Sequence, residues 1–341
     1  MLRTSPRDHG MTRILILAIV VGMLGTDSRV PAQDASRISI DPYRDYLLKD
    51  SGEPLKDGAI RVTFLGTTTL LFDDGETQIM TDGFFTRPRM FTVATGRIQT
   101  DTKLVDAVLK KARIDRLKAL FVNHSHYDHA LDCAYVVRKT NAKLHGSAST
   151  LNIGRGGELG EDQMALFKPG KEVVVGKFTV TVREAKHTPP IKGVNDDLGK
   201  PIEKPLPQPA FAGEYKEGGS FDFLIRHGKT TIFVANGGNF TEGAHADVRA
   251  DTLFLCTGGL GIQTDAYRKS YYDETVKHLR PKLVIPTHWD NFFKPLNETL
   301  EGYAKPIDDL PTTFDFLKDR LKADGIKFGL LQGYGSVVVK N

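Results

Sequence analysis

The sequence predicts an α/β protein, a four-layer αββα sandwich in which two mixed β-sheets pack face to face with helices outside. Short β-rich runs alternate with helical stretches along the chain, and hairpin patterns occur in both halves. Hairpins and helices mixed in this way favour two packed sheets. About 40% of the 341 residues are hydrophobic, which suits one large or two small globular domains and excludes a disordered or fibrous chain.

The first 32 residues predict a cleaved export signal. Arg3, Arg7 and Arg13 precede the apolar run ILILAIVVGMLG (14–25), and VPA (30–32) has the small residues that a signal peptidase reads. The alternative is a membrane anchor, but this run is shorter than the roughly 20 residues that span a bilayer. No later run approaches about 18 apolar residues, so we expect 33–341 to form one soluble domain, periplasmic or secreted, without a stable membrane anchor.

Charge and cysteine content exclude some classes of function. Removal of residues 1–32 takes away four arginines and two aspartates, which lowers the formal net charge from +4 to +2. This near-neutral balance does not indicate a nucleic-acid partner, and we expect a small-molecule substrate. Cys133 and Cys256 lie in separate apolar contexts, which favours two buried free thiols over a disulfide. The sequence does not indicate an oligomeric state.

The predicted elements follow in chain order. The segment 59–83 predicts two strands that turn at Asp74-Gly75, because a DDG sequence between alternating apolar runs is a hairpin signal. Later apolar runs predict further strands at 117–123, 171–185, 220–236, 251–257, 281–288 and 327–339. Helical spacing predicts helices at 101–115, at 129–140, near 268–279 and near 312–323.

One long segment has no regular pattern. Residues 188–219 contain six prolines and little periodicity. Loops of this length are usually functional lids or disordered linkers. Because the segment begins directly after His187, we interpret it as a lid-like loop, and its prolines suggest semi-rigid cover.

The stretch FVNHSHYDHALD (121–132) predicts a metal site. His124, His126, Asp128 and His129 follow a predicted buried strand within six positions. Imidazoles and carboxylates are ligands that zinc takes, and a surface loop that is merely rich in histidine is the less favoured alternative. His187 and His288 each end a later predicted strand, so they are candidate ligands beside the same cluster.

HSHYDH (124–129) resembles the H-x-H-x-D-H signature of the metallo-β-lactamase superfamily. The similarity extends over roughly 59–340, through RVTFLGTTTLLF, TDG with Asp82, EAKHTPP and LVIPTHWDNFF. Of these segments, LVIPTHWDNFF and RVTFLGTTTLLF are most similar to the branch of sugar-phosphate lactonases and N-acyl-phospholipid phosphodiesterases. The resemblance implies two metal sites, one formed by His124, His126 and His187 and the other by Asp128, His129 and His288. It also implies that Asp82 hydrogen-bonds the ligand loop without touching a metal, where the alternative is a simple strand-end cap.

The sequence departs from the family at one turn. Where the family carries a G-D-T/S-G turn whose aspartate bridges two metals, this chain has Ala235-Asn236-Gly237-Gly238. We interpret Asn236 as the stand-in, where the alternative is a misaligned turn; its amide oxygen can bind a metal but brings no negative charge. Asp290, two residues after His288, is a candidate for a substitute carboxylate. We therefore expect one firmly held zinc and a second, conditional zinc.

These residues predict hydrolysis by a metal-activated water. Three imidazoles leave zinc an open position for water, and Asp128 is the candidate catalytic residue that orients this water or accepts its proton. The diiron members of the superfamily carry glutamate at position 126, so His126 favours hydrolysis on zinc over oxygen chemistry.

The substrate pocket has four candidate residues, which lie in the ligand-bearing loops: Tyr127, Trp289, Asp290 and Phe292.

The predicted function is therefore an exported zinc hydrolase that cleaves an ester, lactone or phosphodiester bond. One alternative is a catalytically weak metal-binding member of the fold that lacks the bridging carboxylate. A β-lactamase is a less favoured alternative, because IPTHWDNFF resembles other branches. A nuclease is less favoured still, given the near-neutral charge.

Overall fold

The computed structural model describes residues 38–50, 52–56, 58–190 and 195–340. The predicted export signal, residues 1–32, lies outside the described residues. Among the residues that are described, no helix has both the length and the apolar character needed to cross a bilayer.

The strands occupy every predicted region with shorter bounds, but 59–83 forms three strands where two are predicted, and further strands lie between the predicted regions. They are β1 (Ile60–Phe64), β2 (Leu70–Asp73), β3 (Gln78–Thr81), β4 (Arg97–Ile98), β5 (Leu117–Phe121), β6 (Lys143–Gly146), β7 (Met164–Leu166), β8 (Glu172–Val175), β9 (Phe178–Ala185), β10 (Ala210–Phe211), β11 (Ser220–His227), β12 (Thr230–Ala235), β13 (Thr252–Cys256), β14 (Leu283–Thr287), β15 (Lys327–Phe328) and β16 (Ser336–Val339). The helices are α1 (Met90–Thr95), α2 (Thr102–Lys111), α3 (Tyr127–Ala130), α4 (Cys133–Thr140), α5 (Ala148–Gly156), α6 (Asp265–Tyr272) and α7 (Leu310–Ala323).

Two seven-stranded sheets form the centre of the described part of the chain. The first has the order β16-β1-β2-β3-β5-β6-β7, and the second has the order β15-β14-β13-β12-β11-β9-β8. In the first sheet β3, β5, β6 and β7 are parallel, while β16, β1, β2 and β3 pair antiparallel. In the second, β12 to β15 are parallel and β8, β9, β11 and β12 are antiparallel. The predicted pair of mixed sheets is confirmed.

The first sheet is buried on both faces. Phe72 and Phe121 belong to the core shared with the second sheet, where the Phe121 and Phe223 ring centroids are 5.9 Å apart. The neighbouring residues Met80 and Leu120 face the opposite way, into a core formed with α2 and α4. Helices α6 and α7 contribute to the core of the second sheet. The two sheets therefore pack against each other through their inner faces, and helices pack on their outer faces. This is the predicted αββα arrangement of layers.

The helix predicted at 129–140 is divided into two. Helix α3 ends at Ala130 and α4 begins at Cys133. Asp132 lies at the junction and accepts hydrogen bonds from the backbone amides of Phe85 and Thr86, both at 2.7 Å. This buried carboxylate ties the junction to the loop after β3. Helix α4 ends before Asn141, as predicted, and Asn141 adopts a left-handed conformation with φ +56°.

The unit from β6 to β7 is not predicted from the sequence. Its strands are short, and polar side chains occupy buried positions that would be apolar in an ordinary pattern. His145 on β6 stacks on Phe121 with ring centroids 4.7 Å apart, and Ser149 and Thr150 on α5 are buried. Hydrophobic periodicity therefore gives no signal for this unit.

Five predicted functional residues directly follow strands that end at one edge of the sandwich. Asp82 follows β3, His124 lies just after β5, and His187 lies just after β9. Asn236 follows β12, and His288 follows β14. Strands β3 and β5 are parallel, as are β12, β13 and β14, and β9 runs in the direction of β12 because both are antiparallel to β11. The fold thus gathers residues from distant parts of the chain at this edge.

Part of the lid-like segment 188–219 packs on α5, and Ala210–Phe211 pairs with β4. Ile202 and Leu206 are buried, and the amide of Leu206 donates to the carbonyl of Asn152 at 3.0 Å. The amide of Ile202 donates to Oγ of Ser149 at 2.9 Å. The function of this segment as a lid stays a prediction.

Candidate metal centre

Three histidines converge at the end of β5 and β9. His124 and His126 come from the loop after β5, and His187 comes from the end of β9. One ring nitrogen from each lies within 4.8 Å of the others, a spacing that fits a shared metal ion. Nε2 of His124 and Nδ1 of His126 are 3.1 Å apart. His187 is fixed by a β-bridge to Gly238, and its carbonyl accepts a hydrogen bond from Nδ2 of Asn239 at 2.7 Å.

The outer nitrogen of each of these three histidines has its own partner. Nδ1 of His124 donates to Oδ1 of Asn123. Nε2 of His126 donates to Oδ1 of Asp197 at 3.1 Å, and Nδ1 of His187 donates to the carbonyl of Thr188 at 2.9 Å. Such partners fix the tautomer and the orientation of a ligating imidazole. The donor set left facing the centre is therefore Nε2 of His124, Nδ1 of His126 and Nε2 of His187.

A second set contains a carboxylate and two histidines. Asp128 and His129 belong to α3, and His288 follows β14. Their ligand atoms also lie within 4.8 Å of one another. Oδ2 of Asp128 is 3.5 Å from Nε2 of His129 and 3.4 Å from Nε2 of His288. The rings of His124 and His129 have centroids 3.9 Å apart, so the two sets adjoin.

Asp82 is fully buried and connects the two sets. Its Oδ2 accepts hydrogen bonds from Nδ1 of His129 at 3.0 Å and from the hydroxyl of Thr68. Its Oδ1 accepts from the backbone amide of Asn123 at 2.8 Å. Asp82 therefore orients His129 directly and His124 through Asn123, which is more than a strand-end cap would do.

His288 is held in a conformation that residues other than glycine rarely adopt. Its φ is +57°, and its amide donates to the carbonyl of Thr67 at 2.6 Å. A Cβ added to Gly258 would lie 2.8 Å from Nδ1 of His288, so glycine is required beside the ring. Among the described residues, Nδ1 of His288 has no hydrogen-bond partner although it is buried.

Asn236 is buried at the end of β12. Its amide nitrogen Nδ2 donates to the carbonyls of Phe221 at 3.3 Å and Val234 at 3.4 Å. Its Oδ1 is buried without a hydrogen-bond partner within the described chain. A buried carbonyl oxygen without a partner is costly, and a bound cation is one group that satisfies it.

The pKa values match a centre that is ready to bind metal. Burial lowers the pKa of His124 well below its usual value, and the neighbouring histidines lower it further. Burial, followed by His126, lowers the pKa of His187 to about 4. Burial raises the pKa of Asp128, but His129 and His288 outweigh burial and hold it well below its usual range. His124 and His187 are thus neutral and Asp128 is ionised, the forms in which these side chains ligate metals.

Comparison with known proteins identifies the family. Residues 61–288, more than half of the chain, match the beta-lactamase superfamily domain, and this span contains both sets of candidate ligands. The chain belongs to the metallo-β-lactamase superfamily. A comparison with curated proteins finds no match.

Solved structures share the fold of this superfamily member at low identity. Igni18, a metallo hydrolase from Ignicoccus hospitalis, is 15% identical with a TM-score of 0.53, and the match covers 83% of this chain and 99% of that one. CmlA, a diiron β-hydroxylase from Streptomyces venezuelae, is 14% identical with a TM-score of 0.50, and the match covers 85% of this chain and 55% of that one. These two proteins are named for different reactions, so the shared fold alone does not identify a reaction.

Two of the predicted pocket residues lie elsewhere. Trp289 is 1% exposed and packs in the core, with ring centroids 6.2 Å from Phe64 and 5.9 Å from Phe314, so it does not form a pocket wall. Asp290 is fully buried in an ion pair with Arg87. Its other oxygen accepts from the amide of Thr67 at 2.8 Å. Both oxygens of Asp290 thus have partners outside the two ligand sets, so the structure does not place Asp290 in the pocket or in either set.

Tyr127 and Phe292 do lie beside the metal centre. Phe292 is half-buried, and its ring centroid is 5.6 Å from His288 and 6.2 Å from Tyr127. Both rings also contact Phe84 edge to face. Burial, followed by Asp128, raises the pKa of Tyr127 well above its usual value, so its hydroxyl stays protonated. These rings form an aromatic side of the centre next to His288.

Several residues that support the ligands were not predicted from the sequence. Asn123 and Thr68 contact ligating histidines or Asp82, and their only sequence signal is their place beside a predicted strand. Asp197 and Glu217 belong to the irregular segment 188–219 and carry no local pattern. Arg87 lies far from Asp290 in sequence, and nothing in its neighbourhood indicates a buried ion pair.

The cysteines are both free and buried, as favoured from the sequence. Cys133 lies in the core formed with α2 and α4, while Cys256 ends β13 in the other sheet. Burial raises the pKa of Cys256 to about 12, so its thiol stays protonated.

Proposed function

We propose that this protein is a zinc-dependent hydrolase that cleaves an ester, lactone or phosphodiester bond. The observation that carries the proposal is the convergence of two sets of three ligand atoms, His124, His126 and His187 on one side and Asp128, His129 and His288 on the other. The superfamily match and the similarity to a metallo hydrolase support a metal-dependent reaction.

The donor set fits zinc. Imidazole nitrogens suit zinc well, and a site with three such ligands keeps an open position. When bound, zinc supplies a Lewis acid that polarises a carbonyl or phosphoryl oxygen and lowers the pKa of a coordinated water to about 7. The imidazole at position 126 gives the first set a third nitrogen ligand, which is the feature that favours zinc.

Asp128 would orient the attacking water or accept its proton. Its carboxylate is held ionised by its two neighbouring histidines, with Oδ2 placed between Nε2 of His129 and Nε2 of His288. A buried, ionised carboxylate at this place can orient a nucleophilic water and take its proton at Oδ2. Tyr127 and Phe292 would contact an apolar part of the substrate on the side of His288.

A catalytically weak metal-binding protein is the second candidate, and Asn236 favours it. The neutral amide replaces a bridging carboxylate, so the second site lacks a negative charge that would offset two dications. In this case the fold would bind metal without appreciable turnover.

A substrate panel with metal analysis separates these candidates. The purified protein is loaded with zinc, its metal content is measured, and it is assayed on a lactone, an aryl ester, a phosphodiester and nitrocefin. Turnover of one of the first three that is lost after chelation and restored by zinc supports the hydrolase. Turnover of nitrocefin alone would identify a β-lactamase instead, and bound zinc without any turnover would support the binding protein.

We also propose that the protein is exported and acts in the periplasm or outside the cell, with residues 1–32 removed. The support is the sequence of these residues, a short apolar run preceded by arginines and followed by VPA. Expression of the full chain in a bacterial host followed by fractionation and N-terminal sequencing tests this. Mature protein that begins near Gln33 in the periplasmic fraction is expected, and uncleaved protein in the cytoplasm would contradict it.

A further inference from the structure

A carboxylate from the segment 188–219 reaches back to one of the metal-ligand candidates. Oδ1 of Asp197 is 3.1 Å from Nε2 of His126. Both side chains are largely buried, with 14% of Asp197 and 12% of His126 exposed. Asp197 lies 71 residues from His126 in sequence, so only the fold brings them together.

This contact decides which nitrogen of His126 faces the centre. Nδ1 of His126 lies 3.1 Å from Nε2 of His124, on the side where the three histidines converge. A neutral imidazole carries one proton, and a carboxylate beside Nε2 favours the tautomer with the proton there. Nδ1 then keeps its lone pair for the metal. Without Asp197, the neutral ring would divide between its two tautomers, and the one with a proton on Nδ1 does not ligate from that side.

Asp197 is held in place by a buried glutamate. Glu217 is 4% exposed, and its Oε2 accepts from the amides of Gly199 at 2.7 Å and Gly219 at 3.0 Å. Its carbonyl accepts from the amide of Ser125 at 2.9 Å, between His124 and His126. Glu217 therefore joins the turn that contains Asp197 to the same loop that presents the two histidines. The carboxylate and its imidazole are anchored to one another through the backbone as well as by their own hydrogen bond.

We propose that Asp197 is a positioning residue that holds His126 with Nδ1 toward the metal. The proposal rests on the metal-dependent function proposed above, but not on the identity of the bond that is cleaved. It gives part of the segment 188–219 a definite task, because the segment completes the hydrogen bonding of the three-histidine site.

The test compares Asp197→Ala and Asp197→Asn with a matched control, Glu203→Ala. Glu203 lies in the same segment, is exposed, and carries the same charge. For each protein the zinc affinity is measured by competition with a chromogenic chelator. The tautomer of His126 is measured in the zinc-free protein by ¹⁵N NMR at pH 8, and thermal unfolding of the zinc-free protein monitors folding.

We expect Asp197→Ala to weaken zinc binding by roughly 10- to 100-fold, the usual effect of losing an outer hydrogen-bond partner. The Nδ1-protonated tautomer of His126 should rise in parallel. Asp197→Asn keeps an acceptor oxygen, so both effects should be smaller, and it remains informative if the alanine variant does not fold. Glu203→Ala should behave as wild type.

Two outcomes would overturn the proposal. One is zinc affinity and His126 tautomer in Asp197→Ala that equal those of Glu203→Ala. The other is weaker zinc binding with a lowered unfolding temperature and an unchanged tautomer, which would assign Asp197 a purely structural role. Failure of the proposed hydrolysis is a separate result, because none of these measurements requires turnover.

Discussion

The two halves of the candidate metal centre differ in how many of their candidate ligands have hydrogen-bond partners in the surrounding protein. In the three-histidine half, the outer nitrogens donate to Asn123, Asp197 and the carbonyl of Thr188. In the half that contains Asp128, His129 donates to Asp82, but within the described residues the outer nitrogen of His288 has no partner. The two halves therefore differ in the hydrogen-bond partners of their histidines, and such partners change metal affinity.

The charges of the two halves differ as well. The first half offers three imidazoles, and the second offers one carboxylate with two imidazoles. The family's bridging aspartate would serve both halves, and we interpret Asn236 as its replacement in this chain. We infer that the first half holds one metal firmly and that the second half holds a metal conditionally.

Loss of a first-half ligand should have the largest effect. A zinc site with four ligands contributes about 10–16 kcal/mol, so one ligand is worth roughly 3–4 kcal/mol, on the order of 100- to 1000-fold in affinity. His187→Ala should lose zinc by this factor and lose turnover with it. Chelator competition measures the affinity, and His278→Ala, whose half-buried ring faces Glu274, is the control. Equal zinc affinity in both variants would remove His187 from the ligand set.

Asp290→Asn distinguishes a structural carboxylate from a second-half ligand. The change leaves Arg87 buried without its ion-pair partner, so the free energy of unfolding should fall by on the order of 3 kcal/mol. Urea denaturation measures this loss. Asp247→Asn breaks the partly exposed pair with Arg183 and should cost less than about 1 kcal/mol. An unchanged unfolding midpoint combined with loss of the second metal would indicate that Asp290 is a ligand of that metal.

Asn236→Asp should reduce the difference in zinc affinity between the two halves. The new carboxylate supplies the missing negative charge, so the second zinc should bind roughly 10- to 100-fold more tightly while the first changes less. Calorimetric titration resolves the two binding steps. Asn297→Asp adds the same charge at an exposed position and should change neither step. A gain of equal size in both variants would indicate a general charge effect.

The two halves should also release their metals at different pH values. Burial lowers the pKa of His288, but its contact with Asp128 outweighs burial and raises the pKa above 6.5, whereas the pKa of His187 is about 4. Protons compete with metal for each imidazole, so the second metal should dissociate at a higher pH than the first as the pH falls. Metal release followed from pH 8 to pH 4 tests this order, and simultaneous release would count against it.

The positions of the candidate ligands could be predicted because strand ends are visible in sequence. His187 and His288 each follow an apolar strand, and parallel strands that end at one edge bring such residues together. The pocket prediction failed for Trp289 because adjacency to His288 does not indicate which way a side chain turns. His288 adopts a left-handed conformation, and the next side chain enters the core beside Phe64.

The supporting residues could not be predicted for a different reason. Asp197, Glu217 and Arg87 act through hydrogen bonds to residues far away in sequence, and no periodic pattern encodes these contacts. The unit from β6 to β7 was missed because its buried side chains include His145 and Thr150. Apolar periodicity predicts layers and strand ends, while polar contacts inside the fold become visible only in three dimensions.

Zinc stoichiometry tests the inequality of the two halves most directly. Zinc-free protein is titrated with zinc, dialysed and analysed by mass spectrometry, in parallel with His187→Ala and His288→Ala. We predict about one tightly held zinc per chain in wild type and in His288→Ala, its loss in His187→Ala, and a second zinc that binds at least about 100-fold more weakly. Two zincs of equal affinity, lost together in either variant, would contradict this account.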